Sequence, residues 1–182
     1  MAVGAVWWWQ CGRVLLQAEA IETPRLVLTP LRLEDAEEMA GVLSDVRMYE
    51  FTGGEPPTLE RLRARYELLA GGRSPDGSEA WLNWIVRTGS PPVAVGVVQA
   101  TVRGDRAAGE VAWEIGVDHQ GRGYASEAAA ALVGWLAGAG IGAIEACIHP
   151  DHAASAAVAA RAGLAPTDEF VDGERRWLLR PA

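Results

Sequence analysis

The chain has 182 residues, of which 49% are hydrophobic and 22% are charged. This length predicts one compact domain that buries a sizeable core without disulfide or metal staples. The composition excludes a disordered chain, a collagen and a coiled coil. The formal net charge of −8 disfavours nucleic acid as the main partner, because its phosphates would be repelled.

Cys11 and Cys147 are the only cysteines in the sequence. They lie far apart, so we expect neither a disulfide framework nor a zinc ribbon. This usage is compatible with a reducing compartment, and we expect a cytoplasmic protein that has no membrane partner.

Residues 1–20 are predicted to be an apolar extension that precedes a domain of residues 21–182. Trp7, Trp8 and Trp9 are consecutive in it. The apolar run is too short for a membrane span, which needs about 20 residues, and no positive charge precedes it as in a secretory signal. The extension is interpreted as a docked strand or arm, a partner-contact segment, or sequence upstream of the true domain start. Such an arm is compatible with a homodimer.

In the first half of the chain, alternating and helical hydrophobic spacings follow one another. Strands are predicted over residues 25–31, 81–87 and 93–103, and helices over residues 33–43 and 59–70. Thr58 is placed to cap the second of these helices.

The second half predicts the order strand, helix, strand, helix and two strands. The strands are expected over residues 110–117 and 141–148, and the helices over residues 125–137 and from Asp151 or His152 to about 162. Residues 164–179 are predicted to form a hairpin that turns at Asp172 and Gly173. The whole order indicates an α/β or α+β sheet with helices on both faces.

Between a predicted strand and a predicted helix lies the segment Gln120-Gly121-Arg122-Gly123-Tyr124-Ala125. Two glycines let backbone N–H groups approach a ligand closely. The amino end of the following helix adds unpaired donors and a partial positive charge. The segment therefore predicts an anion site that suits a phosphate or diphosphate, with Arg122 as a charge contact, although a plain strand-to-helix turn is an alternative.

Two phosphate-binding classes do not fit this loop. A P-loop needs a lysine, and the chain has none. A dinucleotide-binding loop has a third glycine where this chain has Ser126, and it needs an acidic residue after a second strand.

The pattern Q-x-x-G-x-A, with a strand before it and a helix after it, resembles the acetyl-CoA diphosphate loop of the GCN5-related N-acetyltransferases (GNAT). Three further segments resemble the ribosomal-protein alanine acetyltransferase (RimJ/RimL-like) branch. They are residues 121–128 (GRGYASEA), residues 21–33 (IETPRLVLTPLRL), and Ser155 and Val158 followed by residues 161–164 (RAGL). The resemblance implies a GNAT fold, with a mixed, mostly antiparallel sheet of six to seven strands, a central parallel pair and helices on both faces.

The resemblance also implies acetyl-CoA as the co-substrate and no metal. The strand before the loop would pair with the pantetheine arm through Trp113, Glu114 and Ile115. The loop and helix start would hold the diphosphate; these residues are Gln120, Gly121, Arg122, Gly123, Tyr124, Ala125 and Ser126. The implied reaction moves an acetyl group directly to a primary amine, on a protein N-terminus or on a small molecule, without a covalent intermediate.

Such a reaction needs a base, because the attacking amine loses a proton as the new bond forms. Glu110 matches the glutamate that begins this strand in many relatives, and an acid within an apolar strand should have a raised pKa. Glu114 competes for the role, since alternation puts both carboxylates on one face. A surface position for Glu110 is the structural alternative.

The leaving thiolate needs a proton or a hydrogen-bond donor. Ser155 matches the serine of the family's N-x-x-S helix opening and could serve as that donor or cap the helix. His152 replaces the family's asparagine; it could carry a proton or only cap the helix. Ala159 stands where many relatives have a tyrosine acid, so that mechanism is excluded.

Two other features are interpreted as structural. Cys147 is expected to be a small apolar residue of a strand, since no nucleophilic cysteine is needed. His149, Asp151 and His152 lack the distant third ligand that a tetrahedral metal site requires.

The acceptor is expected near residues 48–54 and the final hairpin. Two other functions stay open: a non-catalytic module that binds CoA or a small molecule on the same fold, and an interaction protein that docks a partner through its tryptophan-rich arm.

Overall fold

A computed structural model describes residues 16–181 and places in them one mixed sheet and four α-helices. The strands are β1 (Ile21–Glu22), β2 (Leu26–Pro30), β3 (Glu79–Thr88), β4 (Val93–Arg103), β5 (Gly109–Ile115), β6 (Ile144–Ile148), β7 (Ala165–Val171) and β8 (Glu174–Leu179). The helices are α1 (Asp35–Val42), α2 (Leu59–Leu69), α3 (Tyr124–Gly138) and α4 (Ala153–Arg161). Short 3₁₀ turns occupy Val46–Tyr49 and Val117–His119.

The sheet has the strand order β1-β2-β3-β4-β5-β6-β8-β7. Every neighbouring pair is antiparallel except β5 and β6. This confirms the mixed, mostly antiparallel sheet with a central parallel pair. The two-residue strand β1 brings the count within the described residues to eight, one more than expected.

Most predicted elements are confirmed within a few residues. Strand β6 begins three residues later than predicted, because the chain is still turning there and the Gly142 N–H donates to the carbonyl of Arg106 at 3.0 Å. Helix α2 is capped as predicted, with the Thr58 hydroxyl accepting from the Arg61 N–H at 3.3 Å. The final hairpin turns where expected, with positive φ angles of 50° at Asp172 and 88° at Gly173.

Helices cover both faces of the sheet, and each face has its own core. Helices α3 and α4 pack on one face, where Trp84 on β3 is completely buried and meets Trp135 of α3 edge-to-face at 5.4 Å. Helices α1 and α2 pack on the other face, against side chains such as Ile85 on β3 and Ala94 on β4. The α1–α2 layer therefore lies over the β2–β4 side of its face.

The last residues of the predicted extension contact the domain. Leu16 and Ala18 pack against the core, and the indole N–H of Trp84 donates to the carbonyl of Glu19 at 2.7 Å. Residues 1–15, which include the three consecutive tryptophans and Cys11, lie outside the described residues, so the interpretation of that segment stays a prediction. No helix in residues 16–181 is both long enough and apolar enough to cross a bilayer.

Gly96 on β4 is required by the close approach of β5. A Cβ at this position would lie 2.2 Å from the Glu114 carbonyl oxygen, whereas one at Gly134 in α3 would have no neighbour within 4 Å. We expect Gly96→Ala to lower the free energy of unfolding by about 3 kcal/mol or more. Gly134→Ala should raise it by about 0.5–1 kcal/mol through helix propensity. Urea denaturation measures both, and equal effects would contradict the close approach.

Arg87 joins β3 to helix α1 through two ion pairs, of which the pair with Asp35 is largely shielded from water and the pair with Glu38 is partly exposed. Its guanidinium lies 2.6 Å from the Asp35 carboxylate and 2.7 Å from that of Glu38, and its side chain is 18% exposed. We expect Arg87→Met to lower the free energy of unfolding by about 2 kcal/mol, mainly because the shielded Asp35 carboxylate loses its charged hydrogen bond. The matched control is Arg63→Met, which breaks an exposed pair with Glu37 and should cost less than about 1 kcal/mol. Similar losses in urea denaturation would show that the Arg87 pairs do not anchor α1.

Candidate functional site

The two parallel strands at the centre of the sheet separate soon after they meet. Strands β5 and β6 pair at only two positions, Gly109 with Ile144 and Glu110 with Glu145. Beyond them β5 continues beside β4 to Ile115, and β6 continues beside β8. The carboxyl ends of the two strands therefore enclose a V-shaped gap, the position where open α/β sheets bind ligands.

Backbone groups of β5 line one side of this gap. The Gly109 N–H donates toward β6, to the carbonyl of Ala143, and the Gly116 N–H donates toward β4, to Val95. Because successive peptide groups in a strand point to opposite edges, the groups of Trp113 and Ile115 face the gap. Those of Glu114 face β4, so the predicted pantetheine contact of Glu114 does not come from its main chain.

The glycine loop lies at the mouth of the gap, directly before helix α3. Gly121 and Gly123 have φ angles of 73° and 78°, a left-handed conformation that favours glycine. Gly123 is the N-cap of α3 and has no side chain to occupy the first amides of the helix. Those amides are left unpaired at an end with partial positive charge, and the exposed loop leaves them open to an anion.

Two side-chain contacts hold this loop against the end of β5. The Gln120 side-chain amide donates to the carbonyl of Ile115 at 2.9 Å, and the Arg122 guanidinium donates to that of Asp118 at 3.0 Å. Gln120 thus braces the loop rather than pointing freely into solvent. Tyr124, Ala125 and Ser126 form the first turn of α3 and are half-buried.

Glu110 and Glu114 share a face of β5, as alternation predicted, and the structure shows that it is the face on which α1 and α2 pack. Glu110 and its neighbour Ala112 are exposed although β5 is a central strand, because the α1–α2 layer lies over the other side of this face. We refer to this uncovered part of the sheet face beside the gap as the cleft, and Glu110 and Glu114 lie in its floor.

The pKa values of both carboxyl groups are raised. Glu110 is exposed as a residue, but partial burial of its carboxyl group raises its pKa, and the like charges of Glu145, Glu174 and Glu79 raise it further. Burial also raises the pKa of Glu114, against the opposing charge of Arg65. Raised carboxyl pKa values are what a base that works near neutral pH requires.

Several neighbours of these carboxylates were not predicted from the sequence. Tyr49 and Tyr66 lie near Glu114. Burial raises the pKa of Tyr49, and the negative charge of Glu114 raises it further. The Tyr66 hydroxyl is buried and has no hydrogen-bond partner within residues 16–181. Glu145 is bound by Arg176 at 2.5 Å. No local motif marks these residues, because helix packing and strand order bring them together.

His152 and Ser155 lie at the start of α4, beside the carboxyl end of β6. His152 occupies the N-cap position, but its side chain makes no cap hydrogen bond; it stacks on Phe51 with ring centroids 4.3 Å apart. Burial and the neighbouring His149 lower the pKa of His152, which keeps the imidazole neutral near pH 7. The half-buried Ser155 hydroxyl makes no hydrogen bond to the described side chains or backbone, so the structure shows no capping bond from it.

The remaining candidate residues have other surroundings. Cys147 is half-buried on β6, and burial raises the pKa of its thiol, which leaves it a poor nucleophile. The Nδ1 atom of His149 accepts from the Asp151 N–H at 3.2 Å. Among residues 16–181 no group of three His, Cys, Asp or Glu side chains is arranged to hold a metal ion.

Comparison with known proteins identifies the architecture. A sequence model of the acetyltransferase (GNAT) domain matches residues 25–165. No curated protein matches the sequence.

Solved structures with the same fold include a GNAT-family acetyltransferase from Bacillus anthracis, with 18% identity, a TM-score of 0.74 and coverage of 90% of this chain and 99% of that one. The microcin C7 self-immunity acetyltransferase MccE, in complex with acetyl-CoA and AMP, has 15% identity, a TM-score of 0.73 and coverage of 87% and 93%. RimL, a ribosomal L7/L12 alpha-N-protein acetyltransferase in complex with coenzyme A, has 16% identity, a TM-score of 0.72 and coverage of 89% and 98%.

The family match spans most of the chain, and the forked strands and glycine loop accompany it. The chain therefore belongs to the acetyltransferase (GNAT) domain family and is an acyltransferase that uses acetyl-CoA as its co-substrate.

Proposed function

We propose that this enzyme moves the acetyl group of acetyl-CoA directly to a primary amine in the open cleft beside β5. The observation that carries the proposal is the gap between β5 and β6, which has an anion-binding loop at its mouth and carboxylates with raised pKa values in the adjoining cleft. The gap suits the pantetheine arm, the loop suits the diphosphate, and the carboxylates suit the amine.

The co-substrate would enter along this gap. Main-chain amides from Gly121 to Ser126 would bind the diphosphate at the start of α3. The pantetheine arm would pair with β5 through the free edge of Trp113, as an added strand does. Of the groups on Ile115, the N–H is the one available, because its carbonyl already accepts from Gln120.

The chemistry follows from this placement. The nitrogen of a neutral amine attacks the thioester carbonyl, the C–N bond forms and the C–S bond breaks. The amine proton passes to the base, and the thiolate leaves and takes up a proton. No covalent enzyme intermediate is formed, so the protonated Cys147 thiol needs no part in it.

Glu110 is the proposed base. It lies where β5 and β6 part, it is exposed to the cleft, and three like-charged neighbours favour its protonated form. Exposure also lets it pass the proton to solvent. Glu114 lies further along the same strand and is more enclosed by α2, with Arg65 opposing its protonation. Two side chains four residues apart in a strand lie about 13 Å apart, so one amine meets only one of them directly.

Ser155 is the proposed donor to the leaving thiolate. Its hydroxyl has no partner in the described structure and lies in the first turn of α4, beside the carboxyl end of β6. His152 is neutral near pH 7 and can accept or relay a proton at that end, with its ring held by Phe51.

The acceptor is proposed to be a primary amine, on a protein N-terminus or on a small molecule. RimL is named for the N-terminus of ribosomal L7/L12, and it shares the fold at 16% identity. The acidic cleft floor suits an acceptor that arrives as an ammonium ion. A homodimer and a cytoplasmic location stay predictions from the sequence.

The first test is binding of acetyl-CoA followed by turnover. We expect acetyl-CoA to raise the melting temperature, because it binds the folded state alone, and an amine panel to release free thiol. Gly123→Val should abolish the thermal shift, since a β-branched residue resists positive φ, while the control Gly134→Ala should keep it. A thermal shift without thiol release for any amine would favour the non-catalytic binding module. If acetyl-CoA causes no thermal shift in the wild type, the assignment of the loop as the diphosphate site is contradicted.

The second test assigns the base. Glu110→Gln should lower kcat by about 10²-fold or more, the usual size of a general-base contribution, and Glu114→Gln serves as the matched variant on the same strand face. A base must be deprotonated, so activity is lost as pH falls through its pKa. Because the pKa of Glu110 is raised, this acidic limb should lie above the ordinary glutamate range and disappear in Glu110→Gln. If only Glu114→Gln has this effect, the base is Glu114.

A further inference from the structure

Arg25 lies at the corner between β1 and β2, about one hundred residues from the glycine loop in sequence, yet it contacts that loop. Its backbone N–H donates to the Glu127 carboxylate at 3.0 Å, and its Nε donates to the same carboxylate at 2.6 Å. Thr23 adds a third donor to that carboxylate at 2.6 Å. Glu127 is in the first turn of α3, so these bonds tie the corner to the helix start.

The same guanidinium also lies against three consecutive loop residues, while its Nη2 pairs with the Glu127 carboxylate at 2.6 Å. Nη1 donates to the Arg122 carbonyl at 2.9 Å, and the group sits over the Tyr124 ring at 5.2 Å. A Cβ on Gly123 would lie 3.3 Å from Nη2. The planar fork of an arginine can make these contacts at once, which a lysine ammonium cannot.

The positive charge of Arg25, as well as its planar shape, affects an anion bound at this site. Burial opposes ionisation of Glu127, but the hydrogen bonds from Thr23 and Arg25 lower its pKa, so it is a carboxylate near neutral pH. A carboxylate in the first turn of α3 would repel a diphosphate bound at the same helix end. Arg25 supplies the compensating positive charge.

We propose that Arg25 is a positioning residue for acetyl-CoA, which fixes the glycine loop with its amides toward the diphosphate and neutralises Glu127 beside it. This inference rests on the proposed function, in which the loop binds the diphosphate. The corner between β1 and β2 would then contribute to the affinity for acetyl-CoA, although it lies outside the glycine-loop motif.

The test compares two thioesters that differ in the diphosphate. Acetyl-CoA carries the diphosphate and nucleotide, whereas S-acetylpantetheine has neither. Calorimetry gives the Kd of acetyl-CoA, and competition gives that of S-acetylpantetheine, for wild type, Arg25→Met, Arg25→Lys and the control Arg63→Met. Arg63 is as exposed as Arg25 and pairs with Glu37 away from the loop.

We expect Arg25→Met to weaken acetyl-CoA binding by about tenfold, the loss that follows from charged hydrogen bonds, and to leave S-acetylpantetheine binding unchanged. Arg25→Lys should lie between Arg25→Met and wild type, and Arg63→Met should match wild type. Loss of affinity for both thioesters would indicate general damage and would overturn the proposal, as would unchanged acetyl-CoA binding in Arg25→Met.

A double variant tests the electrostatic part. Arg25→Met with Glu127→Gln removes the carboxylate that Arg25 would have neutralised, so it should regain part of the lost acetyl-CoA affinity. If the double variant regains no affinity for acetyl-CoA, the neutralising role of Arg25 is contradicted. A wild-type protein that binds both thioesters equally would instead contradict the diphosphate site of the proposed function, whereas a wild type that prefers acetyl-CoA beside an unaffected Arg25→Met would contradict the Arg25 inference alone.

Discussion

Backbone pairing between β5 and β6 stops after two residue pairs, and the functional site depends on that interruption. Each strand keeps a complete partner on its other side, β4 for one and β8 for the other, so the unpaired edges are stable without closing on each other. Peptide groups that would have bonded across the gap have no partner strand there, and we propose that they bind the ligand. Because unpaired backbone groups are costly when they are buried, an extended polar ligand such as pantetheine suits this gap.

Charges of opposite sign lie at the mouth of the gap and in the floor of the neighbouring cleft. The mouth of the gap is formed by helix amides and two arginines, and the cleft floor carries Glu110, Glu114 and Glu145. In the proposed function, the anionic co-substrate and the amine acceptor would thus meet neighbouring surfaces of opposite sign. The net charge of −8 would favour approach of a cationic acceptor, while the amides and arginines at the loop would offer the local positive charge that the proposed phosphate contact needs.

Local signals in the sequence predicted the elements that local interactions determine. The alternation of hydrophobic and polar residues predicted the strands, Thr58 marked the start of a helix, and Asp172 with Gly173 marked the last turn. The loop from Gln120 to Ala125 was recognised for the same reason, since its conformation follows from its own glycines.

The sequence could not predict contacts that only the folded chain creates. The stack of Phe51 on His152, the bonds from Arg25 to Glu127 and the Tyr66 hydroxyl near Glu114 each join segments far apart along the chain. The pantetheine contact expected of Glu114 was assigned by counting residues, whereas the direction of a peptide group depends on which edge of β5 it faces. These features needed the strand order and the helix packing.

The separation of the two cores on opposite faces of the sheet has an evolutionary consequence. Helices α1 and α2 rest on their own small set of apolar contacts and do not share them with α3, which follows the glycine loop. If the acceptor binds beside α1 and α2 as proposed, changes in these two helices would alter which acceptor fits without disturbing the glycine loop. Such a layout would allow one donor-binding half to be reused with many acceptors, while drift in the other half would generate new specificities.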